Sequence, residues 1–236
     1  MRVHGHRGAR AILPENTVPG FVYAIELGVD AIELDVVVTK DDVVVVSHDG
    51  ELAGSAVIRK LTLEELHRCD ARIPTLDEVL SLSDRGPFVF HIEIKTFPEQ
   101  PGYNPPLDDF AKLVMEQVHR HGLAARSVIL SFDFAALHAV RRIDSTIRLS
   151  ALYEPGERDY VSLAHEAGAQ VVSPHYSTVT PEKVKAAQEA GLEVVAWTVN
   201  APEDWRNLME AEVDAIVADD PAALMAFLAT KDNTAH

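Results

Sequence analysis

The sequence predicts an α/β protein built as a single (β/α)8 barrel. Short runs rich in β-branched residues alternate with segments of helical periodicity along the whole chain, and this order produces a parallel sheet. Eight such units within 236 residues favour a closed barrel over an open, doubly wound sheet, which is the structural alternative. No linker or low-complexity segment divides the chain. We therefore expect one domain over residues 1–230, followed by a frayed polar tail, residues 231–236.

The strands are predicted from short β-rich runs that end at Gly, Pro or charged residues. The second strand turns at Lys40–Asp42 into a further run over residues 43–47, which predicts a hairpin extension of one barrel strand. The eight predicted barrel strands are residues 2–8, 30–39, 88–95, 127–132, 147–152, 170–173, 193–199 and 214–218.

The helices are predicted from apolar periodicity and from capping residues at their ends. Asn16 is the expected N-cap of the first helix. Thr62 with Glu65 and Thr75 with Glu78 have the spacing of capping boxes, so a helical segment is expected to begin at each threonine. The predicted helical segments are residues 16–27, 62–69, 75–83, 108–121, 134–142, 158–166, 181–190, 202–211 and 221–228.

Composition excludes several classes of function. The formal net charge of −16 argues against an extended nucleic-acid surface, which would be basic, and against tight binding to an anionic membrane. Cys69 is the single cysteine, so a cysteine-based zinc cluster is excluded. Neither nucleic acid nor stable membrane insertion is therefore expected.

Hydropathy predicts a protein without a membrane span. No stretch approaches the roughly 20 apolar residues that a span requires, and the first residues contain no apolar signal-peptide core. We expect a cytoplasmic protein, and the sequence leaves the oligomeric state open.

Three carboxylates interrupt otherwise apolar strands. Glu33 and Asp35 are two residues apart on the second strand, so their side chains point to the same face. Glu93 lies in the same way on the third strand. One such carboxylate alone would suggest an ion pair with Arg7 or Lys95, but three together require a cation. Oxygen ligands of this kind suit one hard divalent ion, Mg²⁺, Ca²⁺ or Mn²⁺.

Two histidines and two basic residues are expected at the same end of the barrel. His6 and Arg7 end the first strand, His48 ends the hairpin extension, and Lys95 ends the third strand. Histidine exchanges protons near neutral pH, and Arg and Lys neutralise phosphate. Cleavage of a phosphodiester needs these residue types, because one proton must leave the nucleophile and one must reach the departing alkoxide. His4 and His91, nearer the strand starts, are interpreted as core histidines.

The order of these motifs resembles the glycerophosphodiester phosphodiesterase family over nearly the whole chain. The matching runs are His6–Ala9, Pro14–Thr17, Glu33–Val36, Thr39–Asp41, His48–Asp49, Leu61–Leu66, Ile73–Leu76, Glu93–Lys95, Ser131–Phe132 and Trp197–Asn200. Any one of these runs is weak, whereas their ordered combination is specific. The resemblance implies the barrel of phospholipase-C-like phosphodiesterases, with a short insertion after the second strand.

The resemblance also implies a role for each candidate residue. It makes Glu33, Asp35 and Glu93 the metal ligands, and it makes His6 and His48 the general acid and base. Arg7 and Lys95 match positions that contact phosphate. Trp197 matches an aromatic residue that covers the substrate at the barrel mouth, although packing at the barrel end explains a strand tryptophan nearly as well. Glu15 and Asn16 match a supporting loop.

The implied reaction is metal-dependent hydrolysis of a glycerophosphodiester to sn-glycerol 3-phosphate and an alcohol. The nucleophile is either water or the neighbouring glycerol hydroxyl, which would first give a cyclic phosphate. Family members usually carry a Leu-x-Arg-Thr-Thr-like run after the His-Asp pair, where this chain has Gly50–Ser55, so the preferred substrate stays open.

Three other functions stay open at this point. The first is a lysophospholipase-D-like activity on a lipid-sized substrate. The second is a catalytically silent barrel that binds phosphorylated small molecules. The third is an aldolase-type barrel with Lys95 as Schiff-base nucleophile, which neighbouring carboxylates disfavour because they keep the lysine protonated.

Overall fold

Eight parallel strands close into a barrel in this computed structural model, which describes residues 1–54 and 56–232. The described strands are β1 (Arg2–Gly5), β2 (Ala31–Val38), β3 (Val44–Val46), β4 (Glu51–Leu52), β5 (Ala56–Val57), β6 (Val89–Ile94), β7 (Ser127–Ser131), β8 (Arg148–Tyr153), β9 (Val171–Pro174), β10 (Glu193–Ala196) and β11 (Ala215–Ala218). β1 pairs in parallel with both β2 and β11, so the sheet has no open edge between its first and last barrel strands. The predicted (β/α)8 barrel is confirmed.

Helices cover the outside of the barrel. They are α1 (Val18–Leu27), α2 (Leu63–Cys69), α3 (Leu76–Leu80), α4 (Leu107–Arg120), α5 (Phe134–Ile143), α6 (Tyr160–Ala167), α7 (Pro181–Glu189), α8 (Pro202–Glu210) and α9 (Pro221–Asp232). Among the described residues, none of these helices is long and apolar enough to cross a membrane. The predicted tail, residues 231–236, begins within the last turn of α9, and residues 233–236 lie outside the described part of the chain.

The connection after β2 contains the predicted hairpin extension and a second hairpin. β3 pairs antiparallel with β2, with Val36 opposite Val46. β4 and β5 form a small separate hairpin, which the sequence did not predict because its strands are two residues long. β4 lies within Gly50–Ser55, the segment that departs from the family pattern, and β5 follows this segment. Its last residue, Ser55, lies outside the described residues.

The expected N-cap of α1 was wrong by one residue. Thr17, with an extended backbone, caps α1 by accepting from the Gly20 N–H at 3.4 Å. Asn16 instead has a φ of 55°, and its side-chain amide donates to Asp35 at 2.9 Å. An N-cap needs an extended backbone, whereas asparagine tolerates the left-handed region. The Asn16 side chain is thereby directed to a buried carboxylate.

Both predicted capping boxes are present. Thr62 and Thr75 each accept from the N–H of the glutamate three residues later, and that glutamate bonds back to the threonine N–H. Two donors at each helix start are thus satisfied locally, which is why this part of the prediction did not depend on tertiary contacts.

The core has an inner and an outer layer. The outer layer lies between the strands and the helices and contains most of the buried Leu, Ile, Val and Phe side chains. The inner layer is small. Among the described residues, its apolar cluster consists of Val128, Val171, Val195, Ala215 and Val217, with Val89 and Trp197 packed against it. Buried polar and charged side chains lie beside this cluster, and they line a cavity together with Leu130 and Leu152.

A buried pair of histidines lies between β1 and β6. The rings of His4 and His91 are 4.5 Å apart in an edge-on arrangement, and both side chains are buried. Burial, then the neighbouring imidazole, holds the pKa of His4 well below its ordinary value. Burial lowers the pKa of His91 to about 4. The pair is therefore neutral in the folded protein, as the interpretation as core histidines requires.

Neutral burial of His91 predicts a loss of stability in mild acid. The ordinary pKa of a histidine is 6.5, whereas the pKa of His91 in the folded protein is about 4. Between pH 4 and pH 6.5 the unfolded chain therefore binds a proton that the folded protein does not. Stability is therefore lost as the pH falls from 6.5 toward 4, by about 1.4 kcal/mol per pH unit for one proton. We expect His91→Asn to reduce this slope in urea unfolding at pH 7, 6 and 5.

The exposed His165 provides a matched control. His165→Asn should leave the slope of the unfolding free energy against pH unchanged. A slope for His91→Asn equal to that of the wild type would contradict the neutral buried state.

Candidate active site

A cavity of about 270 Å³ opens at the carboxyl end of the barrel strands. Seven of the eight sequence-predicted site residues line it, and Asp35 is buried directly behind Lys95. The lining residues are His6, Arg7, Glu33, His48, His91, Glu93, Lys95, Leu130, Phe132, Leu152, Glu154, Ser173, Val195, Trp197, Thr198 and Val217. The barrel therefore brings the predicted residues together, as parallel strands do at their carboxyl ends.

Three buried carboxylates form the acidic centre of the site. Glu33 and Asp35 project from β2, and Asp35 is the register partner of Glu93 on β6. One oxygen from each carboxylate lies within 4.8 Å of the others. The side chains are buried, with exposed fractions of 6%, 1% and 7% for Glu33, Asp35 and Glu93. The i and i+2 spacing on one strand and the pairing of adjacent strands explain this convergence.

The carboxylates repel one another strongly. Burial and then Asp35 raise the pKa of Glu93 to about 8, although Lys95 opposes the shift from 2.8 Å. Burial, Asp35 and Glu93 hold the pKa of Glu33 well above its ordinary value. Glu33 accepts from the Arg7 N–H at 3.0 Å and lies 3.9 Å from His6 Nε2. Three hard oxygen donors that resist holding three charges fit a divalent cation, and the triad could bind one.

Asp35 is ionised despite its burial. Burial raises its pKa, but Arg7 and Lys95 outweigh this effect and the pKa is lowered. The Arg7 Nε lies 3.1 Å and the Lys95 Nζ 3.7 Å from its carboxylate oxygens. Asp35 also accepts from the Asn16 amide. Its ionised carboxylate therefore positions both cations beside the cavity.

The loop after β1 turns sharply to bring Arg7 over the triad. Arg7 has a φ of 48° and Gly8 a φ of 88°. A Cβ at position 8 would lie 2.8 Å from the carbonyl carbon of Gly20, so only glycine fits there. A left-handed arginine is strained, and here the strain directs its N–H to Glu33. This turn also ends the first strand at Gly5 rather than at the predicted Gly8.

His6 is held by Asp219, which Asn200 supports in turn, and neither residue has a predicted role. Its Nδ1 lies 2.5 Å from Asp219 Oδ1. Asp219 accepts from the Asn200 amide at 2.8 Å, and its N–H donates to Asn200 Oδ1 at 2.9 Å. Burial raises the pKa of Asp219, but the hydrogen bond with His6, the charge of His6 and the hydrogen bond from Asn200 together outweigh burial, so the pKa is lowered. The sequence signal for Asp219 was its position, because it directly follows β11 at the carboxyl end of the barrel strands.

His48 is oriented in a similar way, by the carboxylate of the next residue in the chain. It follows β3, and the Ser47 N–H donates to the Asp35 carbonyl at 3.0 Å. Its Nδ1 lies 2.7 Å from Asp49 Oδ1. Burial lowers the pKa of His48, and Lys95 and Arg7 add to this although Asp35 opposes it. With Nδ1 engaged by a carboxylate, each histidine directs Nε2 away from that partner.

Trp197 both lines the cavity and packs at the barrel end. Its indole N–H donates to the Ser173 carbonyl at 2.7 Å. Its ring contacts Phe132 edge-on, with centroids 5.3 Å apart, and His175 packs on it at 5.2 Å. His175, which directly follows β9, is thus a neighbour of Trp197. His91, interpreted as a core residue, also lines the cavity floor.

Comparison with known proteins identifies relatives that cover almost the whole chain. The Glycerophosphoryl diester phosphodiesterase family model matches residues 6–223. A glycerophosphodiester phosphodiesterase from Caldanaerobacter subterraneus is 33% identical, over 94% of this chain and 96% of the relative. The crystal structure of a glycerophosphodiester phosphodiesterase from Parabacteroides distasonis is 26% identical, covers 98% of both chains and has a TM-score of 0.84.

A more distant structure shares the fold. It is a phosphodiesterase from Oleispira antarctica in complex with the product sn-glycerol-3-phosphate. It is 22% identical, covers 97% of this chain and 96% of its own, and has a TM-score of 0.86.

The acidic centre predicts stabilisation by divalent cations. A cation held by the three carboxylates at about one hundred times its dissociation constant adds about 2.7 kcal/mol, which is about 5–10 °C in a domain of this size. We expect Mg²⁺, Ca²⁺ or Mn²⁺ to raise the unfolding temperature of the wild type in differential scanning fluorimetry and to have little effect on Glu33→Gln.

Unfolding without cations and a change away from the triad provide two controls. Without cations, Glu33→Gln should unfold at the same temperature as the wild type or higher, because one repelling carboxylate is removed. Glu116→Gln, an exposed change on α4, should respond to cations as the wild type does. An equal response of Glu33→Gln would place the bound cation elsewhere.

Proposed function

The chain belongs to the glycerophosphoryl diester phosphodiesterase family, and we propose that it hydrolyses glycerophosphodiesters to sn-glycerol 3-phosphate and an alcohol. One observation carries the proposal: a buried carboxylate triad, two cations and two histidines backed by carboxylates surround a single cavity. Hydrolysis of a phosphodiester needs charge neutralisation and two proton transfers, and these residue types supply both.

We infer that Glu33, Asp35 and Glu93 hold one divalent cation, Mg²⁺, Ca²⁺ or Mn²⁺. The donor set supports this assignment, because it consists of carboxylate oxygens that repel one another. A divalent ion bound there supplies charge neutralisation and polarisation of the phosphoryl group.

Arg7 and Lys95 are assigned to the phosphate. Lys95 donates to Glu93 and faces the cavity. Arg7 is anchored through Nε to Asp35 and through Nη1 to Glu15, which also pairs with Arg10 at 2.6 Å. These contacts leave the second terminal nitrogen of Arg7 for a substrate oxygen. Both cations are therefore positioned before the substrate arrives, which lowers the cost of reorganisation.

His6 and His48 are assigned to the proton transfers. Asp219 and Asp49 engage their Nδ1 atoms, so Nε2 is the atom available to the substrate. One histidine accepts the proton of the nucleophile as its oxygen attacks phosphorus. The other donates a proton to the alcohol oxygen as the bond from phosphorus to that oxygen breaks.

Cavity size favours a deacylated substrate over a lysophospholipid. The volume of about 270 Å³ is at the small end of ligand pockets, and Phe132 and Trp197 form part of its wall. The presence of acid, base and metal-binding groups together argues against a catalytically silent barrel. Cytoplasmic location stays a prediction.

Hydrolysis is tested directly with glycerophosphocholine. Release of sn-glycerol 3-phosphate is followed with a coupled dehydrogenase after EDTA treatment and after addition of Mg²⁺, Ca²⁺ or Mn²⁺. We expect a cation to restore activity, and Glu33→Ala to reduce it by more than about 100-fold. Glu116→Ala is the control. Turnover that survives both EDTA and Glu33→Ala would refute the metal assignment, and turnover limited to lysophosphatidylcholine would favour the lipid-sized substrate.

The two histidines are tested with a substrate whose leaving group needs no proton. We expect His6→Ala and His48→Ala each to lose about 100- to 10,000-fold on glycerophosphocholine. On glycerol p-nitrophenyl phosphate, the variant that lacks the acid should recover most of this loss, whereas the variant that lacks the base should not. Equal losses of both variants on both substrates would exclude a division into acid and base.

A further inference from the structure

One carboxylate of the cavity has no place in the proposed reaction. Glu154 directly follows β8 and lines the cavity, together with Glu33 and Glu93. It is exposed and lies outside the acidic triad. Unlike Glu33 and Glu93, it also borders a neighbouring outer cavity, which it lines together with Leu152 and Phe132.

Glu154 also has no cationic partner in the described residues. The cations of the cavity are already paired, Arg7 with Glu15 and Asp35, and Lys95 with Glu93 and Asp35. The histidines are engaged by Asp219 and Asp49. On the outer side, Arg158 of the same loop lines a neighbouring cavity with Glu154, but its ion pair is with Glu166. A negative charge therefore remains uncompensated at the barrel mouth.

Two aromatic rings line the same cavity as Glu154. Phe132 is 37% exposed, which leaves a large apolar ring facing solvent at the cavity mouth. Trp197 is fixed by its hydrogen bond to Ser173, and the two rings meet edge-on at 5.3 Å. Lys95 Nζ lies 5.9 Å from the Phe132 centroid. Phe132 is thus close to the cation assigned to the phosphate and borders the same two cavities as Glu154.

We propose that Glu154, Phe132 and Trp197 form an ammonium site that selects glycerophosphodiesters with a cationic alcohol, ethanolamine or choline. The cavity would then have complementary charges at its two ends, with Lys95 and Arg7 for the phosphate and Glu154 for the ammonium. Aromatic faces attract cations, and most strongly the poorly hydrated quaternary ammonium. A zwitterionic diester matches this arrangement, whereas a neutral or anionic alcohol leaves Glu154 without a partner. This site rests on the proposed hydrolytic function and specifies its substrate.

The test compares three substrates that differ in the alcohol alone: glycerophosphocholine, glycerophosphoethanolamine and glycerophosphoglycerol. We expect Glu154→Gln to lower kcat/KM about fivefold for the two cationic esters, through KM, and Glu154→Lys to lower it further. Glycerophosphoglycerol should be unaffected by Glu154→Gln. Glu157→Gln, an exposed change in the same loop outside the cavity lining, is the matched control and should leave all three substrates unchanged.

A second variant separates the aromatic contribution from that of the charge. Phe132→Leu keeps an apolar side chain but removes the ring face, so we expect about a threefold loss for glycerophosphocholine and a smaller one for glycerophosphoglycerol. Equal losses on all three substrates in Glu154→Gln would overturn the ammonium site while leaving the hydrolytic function intact. Absence of turnover of all three by the wild type with every cation would overturn both.

Discussion

Mutual repulsion among Glu33, Asp35 and Glu93 is the constraint on which the rest of the site depends. The barrel places these carboxylates within 4.8 Å of one another and largely out of water, where like charges interact strongly. Lys95 bridges two of them. The Arg7 N–H donates to Glu33, and the Asn16 side-chain amide donates to Asp35. The left-handed backbone of Arg7 and Asn16 follows from the need to direct these donors at the triad.

A second layer of carboxylates sets the orientation of the histidines. Asp219 and Asp49 engage the Nδ1 atoms of His6 and His48, so both rings are held with the same nitrogen free. Asn200 fixes Asp219 with two hydrogen bonds. This support fixes the positions of the ring atoms, and such pre-organisation is what the proposed proton transfers require. Excess negative charge in this protein therefore contributes to the geometry of the site.

Local patterns predicted those parts of the fold that short segments decide. The capping boxes at Thr62 and Thr75 form within four residues, and the hairpin of β2 and β3 follows a short turn. Asn16 shows the limit of such patterns, because a residue suited to an N-cap is used by Asp35, 19 positions away. The β4–β5 hairpin was missed because two-residue strands have no periodicity to detect.

The sequence by itself determined the barrel, the candidate triad and the two histidines. Alternation along a strand predicts which side chains share a face, and the position of the strand end predicts which of them lie at the barrel mouth. Only the tertiary structure decided that Asp219 supports His6, 213 positions away, and that Glu154 shares a cavity with Phe132 and Trp197. Closure of the barrel brings the last strand beside the first. Which side chains then meet at the barrel mouth depends on the conformation of the loops and on packing between distant segments, and no local pattern along the chain records it.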